Sequence, residues 1–126
     1  MDENYIDFTA VTVECEEDLD WEFVQVTFDT QPQTHDEERR ITPYLLLSVS
    51  FEFDEIVQLE FHDGKNYHGD KLHKLDLWRD RIHVFSRKGF ELHIRFDLLE
   101  ASFLELRKYL EVLSQDVVFH PNQSQQ

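Results

Sequence analysis

Five side chains able to bind a metal fall within the short stretch HDGKNYHGDKLH, residues 62 to 73: His62, Asp63, His68, Asp70 and His73. Imidazole and carboxylate ligands of this kind suit zinc or manganese. The spacing argues for something simpler. Asp63–Gly64 is a turn signal, Gly69 is a second one, and no HExxH pair occurs. A closed site needs three or four convergent ligands. The stretch is therefore expected to be a surface loop between strands, with no metal bound. His73, His83 and His93 lie in strand-like segments flanked by apolar residues and are expected on exposed sheet faces.

Other chemistry is equally thin. Cys15 is the single cysteine and has acidic neighbours, which oppose thiolate formation and make it a poor nucleophile. Three glycines in the whole chain cannot build a phosphate-cradling loop. Carboxylates are abundant, but a hydrolase using two acids needs them buried and tuned apart, not clustered on a solvated turn. The chain is expected to be a binding protein rather than an enzyme, and to need no cofactor.

Charge points the same way. The net charge is −15 over 126 residues. Residues 1 to 60 carry 17 acidic and 2 basic side chains, whereas residues 61 to 126 carry 10 of each. The excess is densest in ECEEDLDWE, where Glu14, Glu16, Glu17, Asp18 and Asp20 surround Leu19 and Trp21; Asp36, Glu37 and Glu38 form a second group. Phosphates and anionic lipid surfaces would be repelled, so neither nucleic acid nor membrane is an expected partner. A basic protein is. The acids could also serve solubility alone. Trp21, set among them, is either an interface anchor or a core tryptophan at a strand start.

Those residues need a scaffold, and the length is that of one domain. We expect a single domain over 1–119 and a polar, disordered tail over 120–126. Eleven phenylalanines and a hydrophobic content of 40% suffice for a core. One cysteine, no secretory leader pattern at the start and no apolar run of spanning length suggest a cytoplasmic protein. Between Tyr5 and Cys15 apolar residues alternate, with Ile6, Phe8 and Ala10 in one phase and Val11, Val13 and Cys15 in the other; a strand with a bulge near Ala10–Val11 is expected. The acidic stretch then makes a turn. WEFVQVTFD forms a strand, and 31–43 a long surface loop. YLLLSVSFEFD reads as a strand buried on both sides at its start. IVQLEFH, KLHKLDLW, IHVFS and ELHIRFD follow, the last two joined by a tight turn at Gly89.

The period then changes. Leu99, Phe103, Leu106, Leu110 and Leu113 recur at helical spacing, with Arg107, Lys108 and Glu111 on the other side. Asp97 and Glu100 suggest a capping box, and VVFH a short edge segment. The expected architecture is α+β: about seven antiparallel strands followed by one C-terminal amphipathic helix packed on the sheet.

The order of PYLLLSVSFEFDE, EFHDGKNYHGD, LDLWRDRIHVF and ELHIRFDLLEASFLELRKYLEVL resembles the tenth family of bacterial immunity proteins, found beside polymorphic toxins. Leu77, Arg79, Asp80, Arg81 and Ile82 match that family's turn; Phe103, Leu106, Arg107 and Leu110 match its final helix. The resemblance covers roughly residues 44 to 113, and the 31–43 loop is longer and more charged than the family pattern. It implies an antidote that binds and blocks a cognate toxin. Two other readings stay open: a nucleic-acid mimic that inhibits a DNA-binding protein, and a non-enzymatic adaptor of a secretion system.

Overall fold

A computed structural model describes residues 4–18, 23–30, 42–51, 56–114 and 117–120. The fold is α+β: among the described residues, a mostly antiparallel sheet of nine strands with one helix packed on it. The strands are β1 (Tyr5–Thr9), β2 (Thr12–Asp18), β3 (Phe23–Asp29), β4 (Tyr44–Ser50), β5 (Gln58–His62), β6 (Tyr67–Trp78), β7 (Arg81–Ser86), β8 (Glu91–Arg95) and β9 (Val117–His120). The helix α1, Glu100–Leu113, lies between β8 and β9. Their order across the sheet is β1-β8-β7-β6-β5-β4-β3-β2, with β9 added beside β6.

β1 and β2 occupy opposite ends of that order, yet only Ala10 and Val11 separate them in sequence. The sheet must therefore curl until its ends meet. The expected bulge at Ala10–Val11 is instead a corner where the chain passes from one end of the sheet to the other. The Ala10 N–H donates to the Arg95 carbonyl at 2.7 Å, and the Val11 N–H to the Asp29 carbonyl at 2.7 Å. The phase change between Ala10 and Val11 in the sequence is the trace of this corner.

β6 makes the second corner. Its first half pairs with β5, while Leu72–Leu77 pair with β7, with a register shift between Leu72 and Lys74. β9 runs parallel to β6 over Leu75–Trp78, and β1 runs parallel to β8. Short links do forbid parallel crossovers between neighbours in sequence, but these two pairs join segments far apart. VVFH thus forms a strand that includes His120, which the expected tail had claimed; residues 121–126 lie outside the described set.

Period-two burial fills the interior. Val24, Val26 and Phe28 of β3 face Val49, Leu47 and Leu45 of β4 across the ladder. YLLL is not covered on both sides: Leu46 and Tyr44 sit half-buried on the outer face. Phe103, Leu106, Leu110 and Leu113 bring the helix stripe into the same core, against β2 and β3. Leu99, the first position of the expected stripe, is 81% exposed because it is the N-cap. The Asp97–Glu100 capping box does not form, since Leu99 caps without a side-chain bond. The helix start is held instead by Arg79, which donates from Nη2 to the Leu98 carbonyl at 2.8 Å and lies over the Phe103 ring.

Candidate functional site

The acids Glu14, Glu16, Glu17 and Asp18 are in strand β2, not in a turn. A strand sends neighbours to opposite faces, and the register settles which. Val13, Cys15 and Glu17 oppose Phe28, Val26 and Val24, whose side chains are buried. Glu14, Glu16 and Asp18 therefore share the outer face with Phe23, Gln25, Thr27 and Asp29. Glu16 accepts from Gln25 Nε2 at 3.1 Å. Glu17 turns toward the helix, where the Tyr109 hydroxyl donates to it at 3.0 Å; that bond raises the Tyr109 phenol above its usual range. The expected patch is thus divided between two faces. Asp20, Trp21, Asp36, Glu37 and Glu38 lie outside the described residues.

β2 is an edge strand of the sheet, and charge there has a second physical use: it discourages pairing with another chain's edge. Beside the acids, burial pushes the Cys15 thiol up to about 12, helped by Glu105 on the helix. Cys15 is a protonated packing residue.

The histidine-rich stretch is a hairpin rather than a loop. His62 ends β5, β6 begins at Tyr67, and only residues 63–66 turn. Gly64 takes a φ of 102° there, which a side chain would resist. Its N–H donates to His62 Nδ1 at 2.9 Å. Asp63 accepts the N–H groups of Lys65 and Asn66, both at 2.7 Å, and pairs with His68 Nε2 at 3.1 Å. Burial works to raise the Asp63 carboxyl, but these bonds outweigh it and hold it at about 2. Asp70 accepts from the Lys71 and Lys88 N–H groups and so ties this hairpin to the next. His68 packs its ring on Phe61 and Phe90. Among the described residues no three His, Cys, Asp or Glu side chains converge as a metal-holding group.

A row of different composition crosses the outer face of the other half of the sheet. Asp76 of β6 opposes His83 of β7, His83 opposes His93 of β8, and His93 opposes Asp7 of β1. The two imidazoles stack with centroids 3.7 Å apart and planes within 9°. Trp78 contacts His83 at 4.5 Å and stacks on His120 at 4.4 Å, and Arg81 lies over the same indole. His120 Nε2 meets Asp76 Oδ1 at 3.2 Å. At the far end Tyr5 Oη lies 3.1 Å from His93 Nδ1 and 3.2 Å from Asp7 Oδ2, and Arg95 grips Asp7 at 2.7 Å. Burial, the facing His93 ring and Arg81 push His83 down to about 4 against Asp76 and Asp7. Burial likewise lowers His93.

Sequence reasoning placed His83 and His93 on exposed sheet faces and went no further. A usable signal was present: a hairpin centred on Lys88 sets 83 opposite 93 and 81 opposite 95. The roles of Tyr5, Asp7 and His120 had no such signal, because their strands dock from the two ends of the described chain. Between the two faces, Gln58, Glu60, Tyr67, Lys71 and Arg87 line a cleft of about 640 Å³ beside Gly69. No family model, curated protein or solved structure matches this chain, and none of its described helices is long and apolar enough to cross a membrane.

Proposed function

We propose that this chain is an antidote of the immunity-protein kind, which binds a cognate bacterial toxin with a basic, nuclease-type domain and blocks it without chemistry of its own. The observation that carries the reading is the outward row Glu14, Glu16 and Asp18 on the edge strand β2, beside Asp29 on β3. A row of carboxylates on a rigid strand suits a cleft built to hold phosphates. Occluding such a cleft needs only complementary charge and shape, with association steered by the field. The resemblance over residues 44–113 supports the same reading. On it the protein works in the cytoplasm, uses no cofactor and contacts neither nucleic acid nor membrane.

The test is co-purification with the product of the adjacent gene, then stopped-flow association with that partner. Glu14→Gln, Glu16→Gln and Asp18→Asn combined should slow association about tenfold or more at low salt. The wild-type rate should fall steeply as salt shortens the screening length to roughly 10 Å at 0.1 M. Glu17→Gln, on the helix side, should leave the rate unchanged. Full protection of cells by the triple variant, with an unchanged rate, would show that this row is not the contact. Association insensitive to salt would remove charge complementarity as the mechanism.

A further inference from the structure

Both parallel pairs of the sheet, β1 on β8 and β9 on β6, are reached by the row of rings that crosses them. The row's centre is chemically peculiar. Two imidazoles lying parallel at 3.7 Å attract one another as neutral rings, tolerate one shared charge, and repel when both are protonated. His93 is also one of the contacts that engage β1, beside the ladder to β8 and the grip of Arg95 on Asp7. With its proton on Nδ1 it donates to Tyr5 Oη, and Tyr5 then donates to Asp7 Oδ2; this arrangement satisfies all three groups.

We propose that the His83–His93 stack is a proton-operated clamp on strand β1. With both rings neutral it holds β1 against β8, and protonating the pair drives the rings apart and lets β1 leave the sheet while the rest stays folded.

The groups that face the pair set the sign. Tyr5 and Asp7 face it from β1, Asp76 with its neighbour Lys74 from β6, Arg81 from β7, Glu91 and Arg95 from β8, and His120 from β9 through Asp76 and Trp78. Asp7, Asp76 and Glu91 favour a charged imidazole; Arg81 and Arg95 oppose it. Burial and the facing ring decide the balance for His83 against protonation. Opening β1 uncovers His93, and once the rings part His83 loses its stacking cover as well; a solvated imidazole titrates near 6.5. The opened form therefore binds more protons, and its population rises as pH falls. For His83, held at about 4 when closed, full exposure sets an upper limit of roughly 20-fold on the increase in opening between pH 7 and pH 5. β9 is held on β6 by its own parallel ladder over Leu75–Trp78, so it should stay docked.

Amide hydrogen exchange on the whole protein, corrected for intrinsic rates, tests this. The Ala10 N–H, which donates across to Arg95, should lose protection tenfold or more from pH 7 to pH 5. The Leu47 N–H in β4 should not change. His83→Phe combined with His93→Phe keeps two stacking rings without the protons, and should abolish the pH dependence at Ala10. Should that variant fail to fold, carbon-13 titration of the wild-type imidazoles decides the matter. Both rings titrating near 6.5 would sink the clamp. Equal loss at Ala10 and Leu47 would also sink it, because the whole domain would then be opening.

Discussion

Asp63 shows how a side chain that could ligate a metal is committed to the backbone instead. It accepts two N–H groups in a four-residue turn and engages His68 beside them. Asp63→Ala should cost about 1–3 kcal/mol, the range for losing charged acceptors of this kind, as read by urea unfolding at pH 7. The carboxyl is held at about 2, below its unfolded value of 3.8. Its contribution is therefore fully present above about pH 4 and is lost as pH falls through about 2. The gap between wild type and variant should close over that window. A gap that persisted at pH 2 would mean the turn is stabilised by packing rather than by this carboxylate.

At the scale of elements, what the sequence revealed was local and what it concealed was long-range. Period-two alternation located β3, β5, β7 and β8, and the helical recurrence located α1, because each pattern records burial against a single core. Leu106 is fully buried, so Leu106→Ala should destabilise by about 2–5 kcal/mol in thermal or urea unfolding. A change within about 0.5 kcal/mol would place that face on the surface. The corner at Ala10–Val11 left a trace, but a bulge would leave the same trace. Asp97 matched a capping pattern that Arg79 made unnecessary by fixing the helix start from another hairpin. The acids of β2 suggest a turn when charge is weighed above alternation, but they form a strand. Once Glu14, Glu16, Glu17 and Asp18 lie in a strand, these four positions cannot all face one partner. Parallel pairing of β1 with β8 could not be read at all, since it depends on a partner far away in sequence, Tyr5 opposite Glu91.

For the whole molecule, charge and topology act together. A net charge of −15 repels itself in the compact state, so thermal stability should rise between 10 mM and 300 mM sodium chloride as screening increases. The Glu14→Gln, Glu16→Gln, Asp18→Asn variant should be at least as stable as wild type in 10 mM salt, because the amides still accept hydrogen bonds and the repulsion is reduced. Calorimetry at both salt levels checks it; a salt-independent midpoint would mean the acids are already compensated within the fold. The pairing of Tyr5 with Glu91 also has a bearing on biosynthesis. A ribosome adds roughly 5–20 residues per second, so about 4–17 s separate the synthesis of these two positions. β2 to β5 can zip into hairpins as they emerge, while Ile6 and Phe8 wait with no strand to join. β1 is made well before β8 and is among the last to dock, and a stall before residue 91 leaves a nascent sheet open at the edge that β1 should cover.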